Sequence, residues 1–195
     1  MSERRATVER TTGETNIRCS LRVDGTGSSD VRTGIGFLDH MLTALAKHSW
    51  MDLTLTCKGD LEVDDHHTAE DCAIALGQAL DQCLGTREGI GRFGSAYAPL
   101  DESLARAVVD LSGRGCAEVD LGLTREAIGG LACENVGHVI ETLAVNARAT
   151  VHVDVLRGRN DHHRAVAAFK ALALALREAV AFTGRTGTPS TKGVL

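Results

Sequence analysis

Aromatic residues make up only 3% of the 195-residue chain, which weakens any reading built on stacking bases or sugar rings. Alanine is abundant instead, so helices are expected to pack closely through small residues. There is no excess of basic charge: the formal net charge is -5, which argues against nucleic acid as the main partner. The six cysteines (Cys19, Cys57, Cys72, Cys83, Cys116, Cys133) form no CxxC pair, so they read as free, mostly buried thiols. The opening MSERRATVERTT has no apolar core segment, and no apolar run approaches the length of a membrane span. The expectation is a soluble, cytoplasmic protein with no membrane partner.

What the chain does have is a repeated histidine pattern. GDLEVDDHHTAED, residues 59–71, sets His66-His67 among six carboxylates, and a second DHH stands at Asp161-His162-His163. His40–Ala46 aligns with His138–Ala144 at an offset of 98 residues, and the alternating stretches Asp52–Thr56 and Thr150–Asp154 follow at the same offset. DHHTAEDCAIALGQAL (65–80) then aligns with DHHRAVAAFKALALAL (161–176) at an offset of 96, with 8 of 16 positions identical. Alanine and leucine matches are common between any two helices. A shared DHH after a shared helix–strand unit is not.

The periodicities predict the elements. Residues 6–24 read as strand, turn, strand, and DGTGSSD as a loop. GIGFLDHMLTALAKHS carries Leu38, Met41, Leu42 and Leu45 at helical spacing, and MDLTLTCKGD alternates as a strand. The opening motif runs into a helix with a Leu76, Leu80, Leu84 stripe ending at Gly85, with Asp64 and Asp65 as capping candidates. In the second half, 102–123 read as strands around a Ser-Gly-Arg turn, ENVGHVIETLAVNA as a helix, ATVHVDVLRG as a strand and DHHRAVAAFKALALALREAV as a helix. The fold class is α+β: two pseudo-repeated halves, each a β-sheet with helices packed on one face. The repeat divides one domain of 195 residues at roughly 6–90 and 91–185, leaving a tail at 186–195.

Each half supplies a first-helix histidine (His40, His138) and an adjacent pair (His66-His67, His162-His163). His66 and Glu70 share a helix face, while His67 points about 100° away, so neighbouring histidines suit two different ions. Nitrogen and oxygen donors without thiolate favour Mn²⁺, Fe²⁺ or Zn²⁺. One position breaks the symmetry: Glu70 corresponds to Val166, and valine does not coordinate.

RTTGETNI, GIGFLDHM, GDLEVDDHHTAED, RFGSAYAPLDE, VDLSGR, GRNDHHRA…FKA and PSTKGVL together resemble the imidazoleglycerol-phosphate dehydratase family over nearly the whole chain. The resemblance implies a carbon–oxygen lyase of histidine biosynthesis, converting imidazole-glycerol phosphate to imidazole-acetol phosphate. It implies two Mn²⁺ ions per active site and a symmetric assembly of 24 subunits with active sites at subunit contacts. The implied metal ligands are His40, His66, His67, Glu70, His138, His162 and His163. The family has glutamate at the position of Val166, and usually proline where this chain has Gly115, which loosens a turn.

In the implied chemistry a metal-stabilised imidazolate expels the hydroxyl through a diazafulvene. Glu14, in RTTGETNI, is the candidate general acid/base. Arg92, Arg114, Lys170, Ser190 and Lys192 are the candidates for holding the substrate phosphate. Two other readings accompany this one: a dinuclear metal phosphoesterase, and a catalytically impaired metal-binding homologue in which Val166 weakens the second site.

Overall fold

The computed structural model describes residues 3–193 and 195; Met1 and Ser2 of the N-terminal stretch, and Val194 of the tail motif, lie outside the described residues. Two four-stranded sheets carry the two halves. The first contains β1 (Arg5–Thr11), β2 (Thr15–Arg22), β3 (Ser29–Arg32) and β4 (Asp52–Gly59), in the order β1-β2-β4-β3. Helices α1 (Gly36–Ser49) and α2 (His66–Leu84) flank β4 in sequence. The second half has β5 (Phe93–Leu100), β6 (Ser103–Asp110), β7 (Cys116–Asp120), a short β8–β9 hairpin (Ala127–Ile128, Leu131–Ala132), α3 (Cys133–Asn146), β10 (Thr150–Arg157) and α4 (Asp161–Val180). Its sheet order, β5-β6-β10-β7, repeats the first. In both sheets the third strand pairs parallel to the fourth and the remaining pairs are antiparallel.

The helices join the halves. Helix α2 packs on β1 and β2, and α4 on β5 and β6, while α1 lies against α4 and α2 against α3. The stripes Leu38, Met41, Leu42, Leu45 and Leu76, Leu80, Leu84 are all buried, and one continuous apolar cluster spans both halves. The small residues set the spacing. A β-carbon at Gly77 would come within 2.8 Å of the Leu143 carbonyl oxygen on α3, and one at Gly94 within 2.0 Å of that of Ala175 on α4. Gly115 is equally tight, with Val145 Cα 2.7 Å from where its β-carbon would stand.

One sequence expectation needs correction. The stretch DGTGSSD is not all loop, because Ser29 and Asp30 begin β3 beside β4. Its run is too short for alternation to signal a strand. The strands expected around Ser-Gly-Arg are present as β6 and β7, with β10 lying between them in the sheet.

Candidate metal centre

The α2–α3 contact brings His66 and Glu70 of one half beside His138 of the other. One ligand atom from each lies within 4.8 Å of the others, and among the described residues no other group of three His, Cys, Asp or Glu does so. The rings of His66 and His138 stack at 5.1 Å, and His138 Nε2 lies 3.1 Å from Glu70 Oε1. His66 Nδ1 lies 3.1 Å from the side-chain oxygen of buried Asn135. Donating there leaves Nε2 with a free lone pair, the usual way a ligating histidine is oriented. Glu141 Oε2 is 3.9 Å from His138 Nδ1. The cavity beside this group, about 970 Å³, is lined by His66, His138, Asn135, Glu141, Arg125 and Glu126, among others.

The local geometry follows from helix capping. Asp64 accepts the His66 backbone N–H at 2.8 Å, and Asn160, its counterpart in the repeat, accepts that of His162 at 2.9 Å. Asp65 does not cap α2; it accepts the Ala132 backbone N–H at 2.7 Å and ties α2 to the start of α3. Its counterpart Asp161 accepts from the backbone of Thr124 and Arg125. Each DHH therefore anchors its helix to the segment between β7 and α3.

The outer histidine of each pair has its own setting. His67 Nδ1 meets Asp60 at 3.0 Å, and its Nε2 is 3.6 Å from Glu14 on the β1–β2 turn. His163 Nδ1 meets Glu102 at 2.8 Å, and its Nε2 is 3.8 Å from Asp101 on the β5–β6 turn. The hydrogen bond to Asp60 raises the His67 pKa above the ordinary histidine value. The His163 bond, with backbone N–H groups of Asn160 and Arg159, holds the Glu102 carboxyl well below the usual range. Asp60 is one of the six carboxylates around His66-His67 in the sequence, but Glu102 did not stand out. The available signal was that Glu14 and Glu102 each immediately precede the first residue of an equivalent strand, β2 and β6.

The second inner set, on α1 and α4, is less complete. His40 and His162 lie with ring centroids 5.7 Å apart, and Phe37 is 5.2 Å from His162. The place of Glu70 is taken by buried Val166. Burial, with His40 next in effect, lowers the His162 pKa below the ordinary value.

The phosphate candidates fall into two places. Arg92 pairs with Asp110 through Nε at 2.7 Å and donates Nη1 to the Pro189 carbonyl at 2.7 Å, next to Ser190 in the tail that also carries Lys192. Arg114 is exposed on the turn whose Gly113 meets Leu195. Lys170 lies apart from these, in the cavity with His40 and His162.

A duplicated α+β fold with a His/His/Glu group of metal-ligand composition defines the class of protein. The sequence pattern of the imidazoleglycerol-phosphate dehydratase family matches residues 33–176. The chain is 60% identical over 98% of its length to an imidazoleglycerol-phosphate dehydratase of Phytophthora nicotianae, spanning 42% of that longer protein. It is 58% identical to that of Phaffia rhodozyma, covering 98% of this chain and 96% of the relative. The imidazoleglycerol-phosphate dehydratase structure from Staphylococcus aureus superposes with a TM-score of 0.83 at 37% identity, covering 92% of this chain and 99% of that one. The chain belongs to the imidazoleglycerol-phosphate dehydratase family, and so is a hydro-lyase of histidine biosynthesis.

Proposed function

We propose that the chain dehydrates imidazole-glycerol phosphate with divalent cations, Mn²⁺ by the resemblance, held by its inner histidines. The observation that carries this reading is the His66–Glu70–His138 group, whose donor atoms come within 4.8 Å of one another from two different halves. Two imidazoles and a carboxylate suit a borderline cation with room for a further ligand. When bound, such an ion supplies Lewis-acid stabilisation of the substrate's imidazole ring.

The chain's own groups account for the rest. Asn135 fixes the His66 ring, and Asp60 and Glu102 fix those of His67 and His163. We assign His67 and His163 to ions completed by neighbouring subunits, because each points away from its inner partner and neither joins an inner set. This agrees with a 24-subunit assembly, which the resemblance supports. Glu14 is the proton-transferring group: exposed, on a turn, and 3.6 Å from the Nε2 of a candidate ligand, it can reach a substrate lying there. Arg92, Arg114, Ser190 and Lys192 are assigned to holding the phosphate, a reading supported by the contact of Arg92 with the Pro189 carbonyl beside Ser190, with Lys170 acting from the α4 side. A cytoplasmic location completes the reading.

The test is product analysis on the purified chain with Mn²⁺. Imidazole-acetol phosphate is the expected product, and loss of turnover on chelation with recovery on adding Mn²⁺ is the expected metal response.

A further inference from the structure

We propose that Cys57 and Cys72 form an oxidation site, at which hydrogen peroxide converts the two thiols to a disulfide that ties β4 to α2 and lowers turnover. The proposal concerns groups that neither the dehydration nor the metal reading uses. Four of the six cysteines stand where α2 lies on the first sheet: Cys19 on β2, Cys57 on β4, and Cys72 and Cys83 on α2. Packing alone does not require sulfur at Cys57 and Cys72. Their counterparts in the second half, at the offsets of 98 and 96, are Val155 and Ala168.

The backbone brings the pair together. A β-carbon at Gly59, the last residue of β4, would lie 3.2 Å from Thr68 Cβ in the first turn of α2. From that contact α2 runs back over the sheet. One turn on, Cys72 shares the face of Thr68, about 6 Å further along the helix. Two residues back, Cys57 shares the face of Gly59, about 6.6 Å along the strand. The two steps match, so Cys72 stands over Cys57 as Thr68 stands over Gly59. The approach at Gly59 is already closer than the Cβ separation of a disulfide, about 3.5–4.5 Å.

The two thiols differ as the chemistry requires. Cys57 is partly exposed, whereas Cys72 is fully buried. The Cys72 thiol beside it lowers the Cys57 pKa, against the opposing effects of burial, Asp71 and Asp60. Burial raises Cys19 to about 12 and Cys83 to about 11, so neither is the attacking thiolate. The Cys57 thiolate attacks a peroxide oxygen, the O–O bond breaks, and hydroxide leaves and is protonated as the sulfenic acid forms. The Cys72 sulfur then attacks that of Cys57, the S–O bond breaks, and the Cys72 proton leaves with the hydroxide as water. The thiols lose two electrons and the peroxide is reduced to water. Cys72 follows Asp71, which accepts from Arg10 and Thr15 beside Glu14, and is two residues beyond Glu70, so the link pulls on both.

The test treats the reduced full-length protein with hydrogen peroxide, blocks free thiols with N-ethylmaleimide and maps the peptides by mass spectrometry. A Cys57–Cys72 cross-link, two hydrogens lighter than its parts and reversed by dithiothreitol, is the expected product. It should persist in Cys19→Ala and Cys83→Ala and vanish in Cys72→Ala, where Cys57 runs on to the sulfinic acid. Alanine already fills the equivalent place at Ala168, so that variant keeps the packing. Turnover is expected to fall at least about tenfold as the link forms, the lower bound for disturbing a metal-site partner, and to return with dithiothreitol. Cys57→Val, carrying the residue of the other half, should keep its turnover through the same treatment. Peroxide that leaves both thiols free, a link from Cys72 to Cys19 or Cys83 instead, or a link without loss of turnover would overturn the proposal. The link is read from peptide masses, so a reduced chain that fails to dehydrate the substrate counts against the function proposed above and not against this site.

Discussion

Glu70 and His138 are 68 residues apart in sequence, yet Oε1 of one lies 3.1 Å from Nε2 of the other across the α2–α3 contact. The contact sets a carboxylate oxygen and an imidazole nitrogen from opposite halves side by side, where the proposed cation would be held. Glu70→Gln keeps the shape and removes the charge. It is expected to weaken Mn²⁺ binding by at least roughly 10–100-fold while leaving the melting temperature of the metal-free protein nearly unchanged. Metal content after dialysis, set beside thermal unfolding, checks both.

Glu14 should separate chemistry from binding. Glu14→Gln is expected to lower kcat by about 10²–10⁴-fold, the range for loss of a general acid/base, with bound Mn²⁺ unaltered. Unchanged kcat would assign proton transfer to another group.

Asp71 holds the Glu14 turn in place. Its carboxylate, 4% exposed, accepts from Arg10 at 2.8 Å and from buried Thr15 at 2.5 Å, fastening the β1–β2 hairpin to α2. Asp71→Asn should cost about 1–3 kcal/mol in urea unfolding, the range for a buried charged hydrogen-bonding group left poorly matched. It should also lower turnover, because Glu14 is next to Thr15.

The His67 ring gives a pH signature. Its pKa is raised, chiefly by Asp60, so in metal-free protein its protonated form is favoured by folding. That stability is present below the unfolded histidine value of about 6.5 and is lost as pH rises through the raised native value. Asp60→Asn should therefore lower the metal-free melting temperature at about pH 6 and much less at about pH 9. Metal binding runs the other way, because the ligand must be neutral, so affinity should fall and proton release increase as the pH is lowered toward 6.

Gly94 tests the packing. Its β-carbon would stand 2.0 Å from a backbone oxygen of α4, which a rotamer change does not relieve. Gly94→Ala is expected to cost at least about 1–3 kcal/mol in thermal or urea unfolding, through displacement of α4 from β5.

Much of this was legible in the sequence because the chain is duplicated. The shared DHH and the offset between His40 and His138 brought out the inner histidines, and the Glu70/Val166 comparison exposed the asymmetry. The pairing across halves was not legible. His66 meets His138, not His40, because α2 packs on α3, and helix–helix contacts depend on surface shape that periodicity does not encode. Strand β3 was missed because four residues with a half-exposed face carry little pattern. The roles of Asp60 and Glu102 were not legible because they depend on the direction of a histidine ring, which only the folded helix start fixes.

The most direct test of the account follows both the product and the phosphate when the chain is given imidazole-glycerol phosphate and Mn²⁺. The account predicts imidazole-acetol phosphate with no inorganic phosphate released, and turnover that stops with chelator and returns with Mn²⁺. Release of free phosphate, or turnover indifferent to chelation, would contradict it.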